Sequence, residues 1–431
     1  MVISDHFVVS YPFGKKEEKS MDAATLTRMV AQDAALRRRQ RLQPAGGKGD
    51  KIFPPTYPGE GRNNPPPRHV FERRRLDGKE VWCVLVDSVQ SQANRLEESL
   101  LGIIRDKSLC IPYVVVDFSG KGLEGIRTIS SLEAPHRVYD AIFRDSLLDG
   151  TPFMKSDLGK QLVKASNADA SVLLEVSPTA LLFGSWYSTG GGGGLGAKFA
   201  RCLVSEIMAA DVPVEEPVNQ RTGEVEPRTA GRRTGSRIDP LGILRKVEVY
   251  KGEDGGWDVT EAGAGPRAKK VRPSEINHGN IAPSVQPLGI TCDYLEQMFV
   301  LSFAALRRLH FGSDEKKNEA GRALLAALGL VAIAEQDAQG YALRSRCDLV
   351  CEGKAPLEVV HADGTTVDIV LDAAEARDLY RATFAAAKGA GFNFQESPIL
   401  LTPQDKLVNI VKQSQDKALA GEGGEDEDAQ G

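Results

Sequence analysis

Short apolar runs and helical stripes alternate through residues 81–210. Residues 81–86 (VWCVLV) are apolar throughout, as in a strand buried on both faces. A turn over 87–91 follows, and then Ala93, Leu96, Leu100, Ile103 and Ile104 make one helical stripe. The first turn of that helix carries Gln92, Asn94 and Arg95. Residues 113–118 (YVVVDF) predict a second strand, and 133–148 a helix starting near Pro135. Residues 171–176 and 180–186 read as two further strands. A polar turn over 187–190 leads into five glycines, 190–194. Beyond them Leu195, Phe199, Cys202, Leu203 and Ile207 share one helical face, and Lys198, Arg201 and Ser205 another. The order β-α-β-α-β-β-α predicts an α+β protein with a ferredoxin-like sheet.

The flanks read differently. Residues 22–41 predict one helix ending in RRRQR. Residues 42–67, rich in Pro and Gly, predict an extended arm that reaches a neighbour or covers its own core. Residues 211–287 are polar, proline-broken and too long for an ordinary loop, with a small hairpin expected from 246–250 and 256–260. The last part predicts helices over 293–310, 314–334 and 373–388, and strands in 340–350 and 357–371 that turn at Asp363-Gly364. The expected units are 1–67 (helix and arm), 68–210 (core), 211–287 (insertion), 288–412 (an αβ part completing the core) and 413–431 (an acidic, disordered tail).

Composition narrows the classes. The 431 residues can hold two or three modules or one elaborated domain, with a large core. No run approaches eighteen apolar residues, and residues 1–14 lack a basic start followed by an apolar run. Neither a membrane span nor a secretory signal is expected. Four of the six cysteines lie in apolar or helical patterns as small buried side chains, and Cys347 and Cys351 have no second pair and no nearby histidines, which points away from zinc and toward a reducing cytoplasm. The net charge of −5 belongs to the tail, where 413–431 holds six acids and one lysine. Without it the body is neutral, yet its arginines cluster at 37–41, 73–75, 232–237 and 267–272, a pattern compatible with nucleic acid.

The glycine run admits three readings. One is a nucleotide loop, but Gly191, Gly193 and Gly196 meet G-x-G-x-x-G only as consecutive glycines must, and Lys198-Phe199 does not complete a P-loop. Another is a plain surface loop. The third is a loop along a nucleic-acid backbone, with phosphates near Ser188, Thr189, Gly191, Gly192, Gly193, Lys198 and Arg201. Catalytic patterns do not stand out. The histidines at 6, 69, 136, 278, 310 and 361 show no ligand spacing, and Ser185 lies in F-G-S-W rather than a nucleophile elbow. The chain is expected not to be an enzyme and to use no cofactor or metal. Aromatic residues make up only 6%, too few for affinity built on base stacking; Tyr187 is one exception, while Trp186 is expected in the core.

Five ordered stretches carry a resemblance: CVLVDSVQSQANRLEESLL, LEAPHRVYDAIFRDSLLDG, SPTALLFGSWYSTGGGGGLGAKFARCLVSEI, GSRIDPLGI and ALRSRCDLV. Together, over about residues 41–401, they resemble the RAMP-superfamily backbone subunit of type I-U (I-G) CRISPR effector complexes. The resemblance implies an RRM-derived, ferredoxin-like palm with inserted thumb and finger elements. It implies several copies stacked along one CRISPR guide RNA in a Cascade complex, without cleavage by this subunit. The implied partners are the guide RNA, a target DNA strand reached through it, further copies of the chain, the guide-end, large and small subunits, and a recruited helicase-nuclease. In related subunits a polar S-Q segment and a following cation at the first helix grip guide phosphates. Ser91, Gln92, Asn94 and Arg95 match it here, Asn94 standing where relatives often carry a cation. His136, Arg137, Ser236 and Arg237 are the other expected RNA contacts. Residues 211–287 are expected to be the thumb, with Arg237 on phosphate and Leu241, Ile243 and Leu244 anchoring it against protein. The alternatives are a RAMP-type RNA-processing nuclease and a nucleotide-binding enzyme.

Overall fold

The computed structural model describes residues 21–58, 67–187, 197–220, 223–253, 255–395 and 397–419. In chain order the principal elements are α1 (Ala23–Gln32), β1 (Ala35–Pro44), β2 (Phe71–Leu76), β3 (Lys79–Asp87), α2 (Val89–Arg105), β4 (Leu203–Ala210), β5 (Tyr294–Ser302), α3 (Glu315–Gln339), β6 (Tyr341–Arg344), β7 (Cys347–Cys351), β8 (Leu357–Val360), β9 (Thr366–Ile369) and α4 (Ala373–Gly389). The main sheet is antiparallel, in the order β6-β7-β1-β5-β4-β3-β2, with β8 also pairing β1 and β9 pairing β8. Its centre, β7-β1-β5-β4, has α2 between β1 and β4 in sequence and α3 between β5 and β7. That is the βαββαβ order of a ferredoxin-like palm, as expected. The hairpin β2–β3 widens the sheet beside β4.

Three of those four strands fall where the sequence predicts helix. The helix expected over 22–41 ends at Gln32, and RRRQR lies inside β1. The helix expected over 293–310 is β5 followed by one short turn, Phe303–Leu306. The helix expected after Gly196 is instead Lys198–Phe199 and β4, both strands, so Lys198, Arg201 and Ser205 do not share a helical face. One cause is common to all three. Each strand places a polar residue on the face that packs against the helices: Arg38 and Gln40 in β1, Ser205 in β4, Gln297 in β5. These residues break the apolar–polar alternation that marks a strand.

They also divide the core. Leu36, Leu203, Phe299 and Leu301 join the large apolar cluster with α2 and α3. Leu42, Ile207, Ala209 and Leu295 join a second cluster with Tyr341, Leu343 and Leu349. Between them the polar groups bond one another, leaving only the Arg38 Nε of this group without a partner among the described residues. Gln297 Nε2 donates to Gln92 Oε1 at 2.8 Å and to Gln336 Oε1 at 2.7 Å, and Arg38 Nη2 donates to Gln297 Oε1 at 2.9 Å. Arg38 also pairs with Asp337, while Ser205 Oγ donates to Gln92 Oε1 at 3.0 Å. Helix α3 is buried along most of its length. It approaches the sheet at Gly329, where a Cβ would stand 3.0 Å from Leu203.

Other expectations are also corrected. Residues 171–186 form two short helices, Ser171–Val176 and Pro178–Leu182, and only Ser185–Trp186 is strand. Their runs are apolar all round, and periodicity cannot assign such runs. The helix expected over 133–148 breaks into a 3-10 turn (Arg137–Tyr139), one helical turn (Ala141–Arg144) and a strand (Ser146–Leu148). Arg137 has φ +54°, a left-handed conformation that no helix continues through. A second, five-stranded sheet pairs Val114–Asp117 in parallel with Ile399–Pro403. The arm covers its own core: Ile52 bridges Ile290 and is buried in the second cluster. The insertion is built of small antiparallel pairs, including the expected hairpin, Val249–Lys251 with Trp257–Asp258, and the longer pair Arg233–Arg237 with Ile281–Gln286. Leu241 and Leu244 are 72% and 71% exposed, so they do not anchor the insertion against the described residues.

Candidate nucleic-acid interface

Strand β3 ends at Asp87, whose side chain is completely buried at the start of α2. Four donors converge on its carboxylate. Ser91 Oγ reaches Oδ1 at 2.8 Å, and Gln92 Nε2 reaches Oδ2 at 2.7 Å. Arg95 Nε reaches Oδ2 at 2.9 Å, and Arg344 Nη2 reaches Oδ1 at 3.3 Å. Arg95 also donates to the Leu343 carbonyl, and Arg344 to that of Val86. One carboxylate thus organises two half-buried guanidiniums from distant parts of the chain and leaves the group net positive. Gln92 is completely buried and its amide is committed on both atoms, so it has no surface for a ligand. Ser91 and Arg95 are half-buried, and Asn94 is exposed.

Beside Arg344 opens a cleft of about 320 Å³. The arm forms one wall with Phe53 and Thr56, the β6–β7 turn another with Arg344 and Arg346, and the base of the insertion a third with Arg233. None of its lining residues is acidic. The Arg346 guanidinium lies 5.2 Å and Lys51 Nζ 5.6 Å from the centre of the Phe53 ring. His69 completes the lining. Its Nε2 accepts from the Gly289 amide at 3.0 Å, which leaves Nδ1 to donate to the Pro55 carbonyl at 3.1 Å. A ring that accepts at Nε2 is neutral, and burial, helped by Arg344, lowers its pKa in the same sense. The cleft's positive charge therefore comes from the arginines and Lys51. Sequence reasoning singled out ALRSRCDLV as a motif but did not place Arg344 and Arg346 in the site. Their signal was two arginines around one serine in a tight turn, Arg346 having φ +56°.

The other arginine clusters are less available. On the open face of the sheet Arg37 pairs with Glu358, Arg39 with Glu296 and Arg74 with Glu206, while Arg41 lies over the Tyr294 ring. Neutralised cations have little left for phosphate, so the acid-free cleft is the better candidate.

A second cationic group flanks the glycine run. Ser185 and Trp186 pair antiparallel with Phe199 and Lys198, and the Tyr187 amide donates to the Ala197 carbonyl at 2.9 Å. The run thus joins two strands, not a strand and a helix, and the helix dipole invoked for a nucleotide loop is not there. Ser188, Thr189, Gly191, Gly192 and Gly193 lie outside the described residues. Lys198 and Arg201 are exposed, Lys198 Nζ 5.3 Å from the centre of the Trp186 ring. Trp186 is 47% exposed rather than core, and Tyr187 is buried against Tyr139. His136 is exposed, but its neighbour Arg137 is not. Arg137 Nε and Nη2 make a bidentate pair with Glu97 at 2.8 and 2.7 Å, and Nη1 donates to the Gly184 carbonyl at 2.9 Å. Burial pushes the Glu97 carboxyl up to about 7, with Arg137 pulling it down. In the insertion Ser236 is exposed, and Arg237 is half-buried on a strand beside Ile281. Among the described residues no group of three His, Cys, Asp or Glu could hold a metal, and no helix is long and apolar enough to cross a membrane.

Comparisons with known proteins bear on this arrangement. No curated protein matches the sequence. The crystal structure of Csc2 from Thermofilum pendens is similar at 10% identity and a TM-score of 0.26, over 92% of this chain and 80% of that one. Residues 36–214 match the family described as CRISPR-associated protein GSU0053. The matched stretch runs from β1 through α2 and the glycine run to the end of β4, and so contains Asp87, Arg95, Lys198 and Arg201. Over that stretch, which is less than half of the chain, the sequence is similar to the CRISPR-associated GSU0053 family.

Proposed function

We propose that this chain binds CRISPR guide RNA as a repeated, non-catalytic backbone subunit of a Cascade-type complex in the cytoplasm. The observation that carries the reading is the acid-free cleft of Arg233, Arg344 and Arg346 beside Arg95, on a palm whose first half matches a CRISPR-associated family. Arg233 and Arg346, with no ion pair among the described residues, and the net positive Arg95–Asp87–Arg344 group beside them suit phosphates, which position a strand without reading its sequence. Sequence is then left to base pairing between guide and target. Phe53 and Trp186 offer a ring beside each cationic group, so each contact can include one base or sugar. Further copies, the other complex subunits, target DNA and a helicase-nuclease are the partners this role requires.

Co-expression with a CRISPR array transcript and the neighbouring subunits tests the reading. The chain should co-purify with protected RNA of uniform length and with a mass of several copies. RNA that is progressively shortened by the pure chain would instead favour a processing nuclease. A chain that retains no RNA would end the reading.

A further inference from the structure

Arg95 and Glu97 stand two positions apart on α2, about 200° around the helix, so they face nearly opposite ways. Arg95 faces Asp87 and the arginine cleft. Glu97 faces the interior and holds Arg137, and Arg137 in turn holds the Gly184 carbonyl. Gly184 has φ +82°, and a Cβ on it would stand 3.0 Å from Arg201 Cγ and 3.1 Å from the Arg201 amide. The bend at Gly184 thus lies directly against the backbone that presents Arg201. Among the described residues Arg137 is the only side chain that hydrogen-bonds the 183–187 segment. The Ser185 hydroxyl is buried there with no partner. Arg137 adopts its left-handed backbone at just this point, a conformation that persists only where the surroundings over-determine it.

We infer that Glu97 and Arg137 are positioning residues, through which α2 fixes the stem of the glycine hairpin relative to its own start. The helix then acts as a spacer between two phosphate-binding groups, the arginine cleft on one face and, through Glu97 and Arg137, Lys198 with Arg201 on the opposite face. This rests on the RNA-binding reading above. It differs from a direct role for Arg137 on RNA, since the residue is 6% exposed and all three of its guanidinium bonds are internal.

The test replaces both partners together, Glu97→Met with Arg137→Met, because removing one alone strands a buried charge and endangers folding. The double variant changes no net charge. In the full chain, the melting temperature should stay within a few degrees of wild type. Hydrogen exchange at the Tyr187 amide, which closes the stem, should speed up. RNA affinity should fall about tenfold, with the slope of log affinity against log salt unchanged. A slope lowered by about one would mean that Arg137 touches phosphate itself and would overturn the inference. So would unchanged exchange at Tyr187, or unchanged affinity in a chain that binds RNA. Should the double variant fail to fold, Arg137→Lys keeps the charge but not the bidentate fork, and the same three readings apply. A wild-type chain that binds no RNA would fail the functional reading instead, while exchange at Tyr187 still reports whether the clamp holds the stem.

Discussion

Arg344 reaches Asp87 from the far end of the chain, its Nη2 3.3 Å from Oδ1, while its Nη1 donates to the carbonyl of Val86 at 2.8 Å. The contact joins the sheet edge at β6 to the start of α2, and Arg95 completes it from the helix. Asp87→Ala removes the only anion from this group. Breaking a buried pair from one side costs about 3–5 kcal/mol, because the remaining charges stay partly desolvated. Urea unfolding should show a loss of that order. A loss under about 1 kcal/mol would mean that water already screens the pair.

Arg346 and Arg233 face the cleft with no ion pair among the described residues, whereas Arg37 is tied to Glu358. Arg346→Ala and Arg233→Ala should each lower the RNA salt slope by about one and leave stability nearly unchanged. Arg37→Ala should alter the slope far less. Equal effects from all three would place the RNA on the open sheet face instead.

Lys198→Ala and Arg201→Ala should weaken RNA binding by the same factor for every sequence, since phosphate contacts carry no base information. Replacing Gly192 and Gly193 with Val should reduce RNA retention without unfolding the chain. A shift in sequence preference from either cation variant would show base readout at the stem.

Asp239 ties the insertion together, its carboxylate accepting from the Leu241 amide at 3.0 Å and the Gly279 amide at 2.6 Å. Those backbone bonds, the Leu241 amide first, hold its pKa below the usual aspartate value. A lowered carboxylate stabilises the fold above its unfolded pKa and loses that contribution as pH falls through its folded value. Proteolysis of the insertion should therefore accelerate below pH 4 in the wild type. Asp239→Asn should cut faster already at neutral pH and show a smaller change on acidification. Matching pH profiles for the two would remove Asp239 from any structural role.

The exposed apolar side chains Ile238, Leu241 and Leu244 need a cover that the described residues do not supply. Limited proteolysis should cut free protein within residues 215–235, and the RNA-bound assembly should resist. Equal cutting in both states would leave the insertion a passive projection.

A ferredoxin-like palm was expected, but from other elements: of the βαββαβ unit only helices α2 and α3 and part of β7 stand where the sequence placed them. Strand β3 and helix α2 were legible because VWCVLV and the stripe after it are unmixed. Strands β1, β4 and β5 were not, because Arg38, Gln40, Ser205 and Gln297 face inward and spoil the alternation. Only the assembled sheet shows that Arg38 bonds Gln297, Ser205 bonds Gln92, and Gln40 bonds the backbone of Gly353 and Ala355. The site was legible in part for a related reason. Arg95 sits in a motif, and its neighbour Gln92 looked equally available until the sheet buried it. The cleft draws on residues 53, 233, 344 and 346, and no local pattern can announce a pocket assembled from three distant segments.

The separation of β1 from its partners has a consequence for synthesis. Arg38 and Gln297 bond across 259 positions of sequence. At about 10 residues per second, ribosomes would leave β1 without its neighbour β5 for roughly half a minute. A ten-residue strand left unpaired for that long invites association with other nascent chains. RRRQR puts charge on both faces of that strand during the wait, which opposes such association. The inward Arg38, which made the strand unreadable as one, thereby also protects it until the sheet can close.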